Sequence, residues 1–527
     1  MQENVGKILL SDEYDKFMDK IQSGENFVLV RMGDGERSLI MGKTVHAQEG
    51  WSAPESVTKL GITLQKCLDH NEPDVYWGIA CPCCDREAYY WYSTRLQSKN
   101  ITFANIFVNV NYKRFKNDFL NIKRKAVVIG NVAGENKKIG NLEVLKYYSV
   151  SNQCVDFWSE QGQVFIEGII KEFGDRDDIL YVVSAGPLSE PIIFALYENN
   201  PKNCYIDFGS SVDFLIHGKD TRPYNNENST YAQRNCWMYN PLDVDFSVSV
   251  ILTTYKKPDA LEKQLKVLQN QSLKPKEIIL YQDGINGRYK IDFDRELLDE
   301  FDRCVISKEN YGVWKRFEIA KDKSASKYVC LFDDDTIPGR RWLENCHFHM
   351  QSQEAVYGGI GIVLKNPSQY PYSGYYRVGW DGPYGKPVQV DFVGHSWFLP
   401  KVYLENMFTD TGKYQAYKLT GEDMCLSFVC QKIGVPTIVP PHPWGNTDLW
   451  SSMPKYALNF GKASVAISNN PEQCARMRDV LDKFLADGWR LCKEQMDVDS
   501  VEHKIKIGRY VTKLKRYRHK AKEKWGI

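Results

Sequence analysis

Two short acidic clusters each close an apolar run. In YVCLFDDDTIPG, residues 328–339, a stretch with the continuity of a buried strand ends in Asp333, Asp334 and Asp335. In NFVLVRMGDGE, residues 26–36, a similar run ends in Asp34 and Glu36, set between and after Gly33 and Gly35 and flanked by Arg31 and Arg37. Adjacent carboxylates repel, and desolvating them is costly unless a cation or a donor network compensates. Oxygen ligands at a strand end select a hard divalent cation, Mg2+ or Mn2+, which keeps room for phosphate oxygens. The plainer use of the triplet is an exposed acidic turn or a cap for the helix starting in GRRWLEN. A third acidic pair, Glu422 and Asp423 in GEDMCLSF, opens a helical pattern. A carboxylate there can deprotonate a hydroxyl, or simply suit the helix dipole.

Such groups need a rigid edge, and the chain supplies two. From about residue 25 to 213, the β-rich runs NFVLVR, DVYWGIA, ITFANIFV, KAVVIGN, ILYVVSAGP and NCYIDFGSS alternate with helical patterns such as VTKLGITLQKCLDH and DFWSEQGQVFIEGIIKEF. This alternation predicts a mostly parallel sheet with helices on both faces. Residues 220–243, polar and without periodicity, read as a linker or an interdomain excursion. A second α/β series then starts at FSVSVILTTY and continues through EIILYQDG, CVISK, YVCLF, AVYGGIGIVL, VQVDFVGHSWFL and PTIVPP. Ligands of open α/β sheets gather at the carboxyl ends of the strands. FSVSVILTTY, with Thr254 near its end and Lys256, Lys257 and Pro258 following, can hold a nucleotide there. Asp283, at the next strand end, can take hydrogen bonds from a base or ribose.

Composition narrows the options. A chain of 527 residues exceeds one hydrophobic core and implies two or three domains. With 68 basic and 67 acidic side chains, its net charge of +1 argues against nucleic-acid binding. No stretch of 18 apolar residues occurs, and the first residues lack the layout of a signal peptide, so a cytoplasmic location is expected. Fourteen cysteines are too sparse for a disulfide scaffold. The CPCC of Cys81, Cys83 and Cys84 lacks the paired C-x2-C spacing of a zinc site and reads as packing or loop placement.

Strand, D-x-D and E-D together bring residues 246 to about 445 to a family. This half resembles glycosyltransferase family 2, of GT-A fold, in ILTTYKKP, Asn310 and Gly312 followed by Arg316, FDDD, and GED. The resemblance implies a nucleotide-sugar donor, UDP-linked, and a glycan or glycolipid acceptor. It puts metal at Asp333 and Asp335, the donor at Thr254, Asp283, Arg316 and Asp334, and catalysis at Asp423, as base, with Glu422. His442, in PPHPWGNTD, sits where some GT-A enzymes carry a late metal ligand; His395 can complete a metal shell or bind diphosphate. A structural histidine is the alternative for each. The run VDFVGHSWFLPKVYL also resembles exostosin-type GT-A enzymes, some of which retain configuration, so inversion is a preference only.

The first half, about 25 to 215, resembles the GT-D glycosyltransferases, whose signature is an Arg-x-Gly-Asp-Gly-Glu loop with a D-x-E pair. Supporting matches are Asn109, Asn111 and Tyr112 in FVNVNYKRF, and Asp207, Gly209 and Asp213 in YIDFGSSVD. The resemblance implies that Asp34 and Glu36 serve catalysis, metal and sugar nucleotide, with Arg31, Gly33, Gly35, Asp207 and Gly209 lining the donor site. Two Rossmann-like α/β domains, GT-D at 1–240 and GT-A at 245–470, are therefore expected, followed by a basic helical tail at 471–527. From Glu502 the tail carries ten Lys or Arg against two Glu, with Ile507, Tyr510, Val511, Leu514 and Tyr517 at helical spacing. Such a helix can rest on the inner face of a membrane or dock on its own domain. The expectation is a bifunctional enzyme of surface polysaccharide or glycoconjugate assembly; the alternative is one active GT-A domain with a noncatalytic carbohydrate-binding or scaffold domain. Tyr372, Tyr375, Tyr376 and Trp380 can stack on an acceptor sugar or fill the core.

Overall fold

A computed structural model describes residues 6–47, 51–226, 228–255, 258–284, 294–379, 384–409, 419–453, 470–507 and 510. Lys256, Lys257, Trp380, Val511, Leu514 and Tyr517 lie outside the described residues. The chain divides into two compact units, Glu3–Val244 and Asp245–Ile527.

The first unit holds a seven-stranded sheet in the order Ile101–Phe103, Val75–Ile79, Val28–Arg31, Cys204–Asp207, Leu180–Val183, Lys125–Asn131, Glu143–Val150. Every neighbouring pair is parallel. The four residues of Leu180–Val183 are all buried, as befits a parallel strand covered on both faces. Helix Leu10–Ser23 buries Leu10, Tyr14, Phe17, Met18 and Ile21, one face at helical spacing, and ends at Gly24 with φ 83°. The chain first runs outward from Val28–Arg31 to one edge, then returns from the other side to Cys204–Asp207. A crevice opens where the order reverses, at the carboxyl ends of these two strands.

Three expectations change here. The run ITFANIFV is a strand only over Ile101–Phe103, before a turn. DFWSEQGQVFIEGIIKEF breaks at Gln161 into Cys154–Glu160 and Gly162–Phe173. Residues 220–243 are no loose linker, because Trp237–Tyr239 pairs antiparallel with Lys7–Leu9, and Asn225 and Cys236 are buried.

The second unit is built on a nine-stranded mixed sheet. Its order is Arg303–Ile306, Glu277–Gln282, Val248–Thr254, Tyr328–Phe332, Phe392–Pro400, Val356–Leu364, Thr437–Val439, Val388–Gln389, with Tyr375–Gly379 on the side of Val356–Leu364. The first four strands are parallel, and Phe392–Pro400 runs antiparallel to Tyr328–Phe332. Of the residues expected as a separate tail, 471–507 instead continue this core. Helix Pro471–Ala486 buries Val480, Leu481 and Phe484 in the cluster that holds Met424 and Phe428, and Trp489, Leu491, Val498 and Ile505 join it. Tyr376 belongs to the same core, its hydroxyl donating to Val498 O at 3.2 Å, whereas Tyr372 is exposed. Among the described residues, no helix is long and apolar enough to cross a membrane.

Candidate functional site

In the second unit the parallel strands deliver Thr254, Asp283 and Asp333–Asp335 to one sheet edge. The Asp333 loop is held from below by Gln264, whose Nε2 donates to Asp333 O at 2.8 Å and Thr336 O at 2.7 Å. Thr254 and Gln282 are partners in register on adjacent strands. Thr254 Oγ1 and Gln282 Nε2 are both buried without a hydrogen-bond partner among the described residues. Polar atoms in that condition need a ligand or water.

Asp283 is buried and already heavily used. Its carboxylate accepts from Tyr281 OH at 2.9 Å, Tyr311 N–H at 2.8 Å and Gly312 N–H at 2.9 Å, so it organises the Asn310–Gly312 turn. Ionised carboxylates have about four acceptor positions, which leaves one for a ribose or base.

Arg316 joins the two halves of the site. It is buried, Nη1 donating to Asp333 Oδ1 and Nη2 to Glu422 Oε1 at 2.8 Å, with its guanidinium 4.4 Å from the centre of the Trp397 ring. Asp423, half-buried at the start of helix Glu422–Lys432, has Oδ1 on the Met424 N–H at 2.7 Å. Burial, then the charge of Glu422, pushes Asp423 up to about 8. Burial also raises Glu422, which Arg316 opposes. Gly421, at φ 82°, makes the turn into the helix, and Trp314 Nε1 fixes the approach by donating to Thr420 O at 3.1 Å.

Asp333, Asp335 and His395 bring one ligand atom each to within 4.8 Å of one another, all three half-buried. His395 sits in strand Phe392–Pro400 at φ 67°, an uncommon backbone state for a residue with a side chain. Two carboxylates and an imidazole fit a divalent ion such as Mn2+, with positions left for phosphate oxygens.

The assignment of His442 to metal is corrected. Its ring is buried, Nδ1–H donates to Pro440 O at 2.8 Å, and Nε2 accepts from Ser451 N–H at 3.2 Å. Burial lowers it to about 4, so it stays neutral and structural. The histidine that stands beside the aspartates is His395.

In the first unit, Arg31 and Asp207 end the two central strands and meet at 3.3 Å. Arg31 Nη1 also donates to Ala104 O at 3.0 Å, while Asp207 Oδ1 accepts from Ser189 Oγ at 3.1 Å and Gly209 N–H at 3.0 Å. Gly209, at φ 46°, holds a backbone state that strains any side chain, and a Cβ there would also displace the Arg31 guanidinium. Gly35 packs close to Trp51, and the Gly33 carbonyl accepts from Tyr92 OH at 2.7 Å. Asp34 is exposed; Glu36 turns back so that Oε2 accepts from Gly33 N–H at 2.8 Å. Burial, with Asp207 and Asp34 nearby, pushes Glu36 up to about 7. Among the described residues, Asp34 and Glu36 join no third metal-ligating side chain within 4.8 Å.

The sequence reading missed Glu190, on the first turn of helix Ser189–Asn199. It is 1% exposed, its Oε2 has no hydrogen-bond partner among the described residues, and burial with the charges of Glu36 and Asp207 holds its carboxyl well above the usual range. Its place just after Gly186 at a strand end was the available signal. The matched Asn111 is structural, its Nδ2 bonding Leu10 O and Ile106 O; Tyr112 OH bonds Asp220, and Asp213 bonds Thr221.

The mixed sheet, the aspartates at its edge and the acidic helix start are consistent with a glycosyltransferase domain of GT-A type in the second unit. Residues 249–405 match the family model described as "Glycosyl transferase family 2", inside the span on which the resemblance was drawn. A nucleotide sugar as donor and a glycan as acceptor follow from that match. No curated protein matches the chain.

Proposed function

We propose that the second unit transfers a sugar from a UDP-linked donor to a growing surface polysaccharide or glycoconjugate, with inversion. The observation that carries this is Arg316, which ties Asp333 at the sheet edge to Glu422 and so stations Asp423 beside the donor edge. Asp333, Asp335 and His395 would hold Mn2+ or Mg2+, which supplies positive charge to a departing nucleoside diphosphate. The imidazole favours Mn2+ of the two. Thr254, Asp283 and Asp334 line the donor, Arg316 keeps the acidic groups apart in fixed positions, and Asp423 takes the acceptor proton. Catalysis rests on placing acceptor, sugar and leaving group in line.

The first unit is proposed as a second transferase site, with Asp34, Glu36, Arg31 and Asp207 around the crevice between its central strands. A noncatalytic first unit is the other reading, favoured by one feature: Glu36 and Arg31 are already bonded within the chain. The test uses the full chain with Mn2+ and a panel of sugar nucleotides, read by mass spectrometry. Asp335→Ala should abolish one transfer and Asp34→Ala a different one. Unchanged products from Asp335→Ala would overturn the assignment of the second unit. Loss of nothing in Asp34→Ala would leave the first as a scaffold.

Peripheral contact with an anionic membrane is proposed from the basic stretch 502–527. Because Ile505 is buried in the core and Glu502 pairs with Lys365 at 2.8 Å, the informative truncation ends at Ile507. Equal sedimentation of both forms with anionic vesicles would remove the proposal.

A further inference from the structure

Four cysteines of the first unit converge although the sequence separates one of them widely from the rest. Cys81, Cys83 and Cys84 follow strand Val75–Ile79, and Cys236 precedes strand Trp237–Tyr239. Their four Sγ atoms all lie within 4.8 Å of one another, with Cys81 to Cys83 at 3.3 Å and Cys84 to Cys236 at 3.6 Å. A tetrahedral ion with bonds of about 2.3 Å to sulfur sets its sulfurs roughly 3.8 Å apart, which is the scale of this group. Multi-iron clusters place several atoms between their cysteines and require a wider spread. We infer that Cys81, Cys83, Cys84 and Cys236 bind one zinc ion as a closed tetrathiolate site.

The surroundings fit thiolates. Asn105 Nδ2 donates to Cys236 Sγ at 3.3 Å, and Arg234 Nη1 approaches Cys84 Sγ at 4.0 Å. Donors of this kind neutralise the excess negative charge of four thiolates on a dication and orient the ligands. The backbone is shaped for the purpose as well: Cys84 N–H and Asp85 N–H both donate to Cys81 O, at 3.1 and 3.0 Å, folding three sulfurs to one side of a tight turn. With four protein ligands no position remains for a substrate, so the role is structural.

The site has a structural consequence. Cys236 O accepts from Leu10 N–H at 2.9 Å, beside the pairing of Lys7–Leu9 with Trp237–Tyr239, so the ion would tie that closing ribbon to the sheet. On the other side of the turn, Asp85 and Glu87 lie 3.4 and 3.6 Å from Arg37, which follows the acidic pair of the crevice. A fixed turn thereby fixes Arg37. This inference stands apart from any sugar transfer.

The test uses the full chain, purified under reducing conditions without added metal. Elemental analysis should give one zinc per chain, released as a mercurial titrates the thiols. Exchange with Co2+ should produce sulfur-to-cobalt charge-transfer absorption and strong visible bands of tetrahedral cobalt. Asp333, Asp335 and His395 offer no sulfur, so metal there cannot imitate that spectrum, and Asp335→Ala should leave it intact. Cys83→Ser and Cys84→Ser should lose the zinc; Cys304→Ser, exposed and outside the cluster, should keep it. Should the serine variants misfold, the wild-type cobalt spectrum still decides. A wild-type chain that takes up neither metal, cobalt without sulfur bands, or a Cys84–Cys236 disulfide in the purified protein would overturn the inference.

Discussion

Arg316 Nη2 donates to Glu422 Oε1 at 2.8 Å across 106 residues of chain, and both side chains are buried. Removing one member of a buried pair strands the other charge and costs about 3–5 kcal/mol. Arg316→Ala and Glu422→Ala should each lower the urea midpoint and depress transfer. An Arg316→Met, Glu422→Met double variant should recover much of the stability and none of the activity. A double variant as active as wild type would show that the bridge serves folding alone.

The two histidines of the second unit should separate cleanly. His395→Ala should weaken Mn2+ binding by at least the roughly 10–100-fold typical of disturbing a metal's ligand set. His442→Asn should leave Mn2+ affinity near wild type and lower the melting temperature, because it cuts the links to Pro440 and Ser451. Titration of Mn2+ by its paramagnetic resonance signal, beside thermal melts, checks both.

To serve as the proposed base Asp423 must be ionised, and its surroundings hold it up to about 8. The rate kcat/KM should therefore climb as pH rises toward that value and level off above it. Asp423→Asn should lower kcat by about 10²–10⁴-fold and abolish the climb. A profile unchanged in shape would move the base elsewhere.

Acid should destabilise the fold through His347 and His442. Burial lowers both to about 4, whereas an unfolded histidine titrates near ~6.5. Between these values the unfolded chain binds more protons than the folded one, so this contribution is complete above the unfolded pKa and lost as pH falls toward 4. Melting temperature measured down this window should drop, and a His347→Gln, His442→Asn double variant should show a shallower slope.

Much of this architecture was readable because parallel strands buried on both faces are continuous apolar runs, and YVCLF or ILYVV can be little else. The acidic residues at their ends were legible for the same reason: charges directly after such runs stand out. What escaped depends on distance in sequence. Glu143–Val150, at the sheet margin, is exposed or half-buried in every residue but Val150 and lacks the apolar signature. Tyr375–Gly379 hid in an aromatic run that suited sugar stacking equally well. Glu190 resembles any acid in a first helical turn until its burial is known. His395 lies within a strand and His442 just after one, and only their partners separate a candidate ligand from a core residue. CPCC looked incomplete because its fourth sulfur, Cys236, is 152 residues beyond Cys84.

The ribbon of Lys7–Leu9 with Trp237–Tyr239 sets the entrance and exit of the first unit side by side. A body whose ends adjoin behaves as a cassette: it can be grafted into a host loop, or given new termini at an exposed turn with the old ones fused, without stretching its sheet.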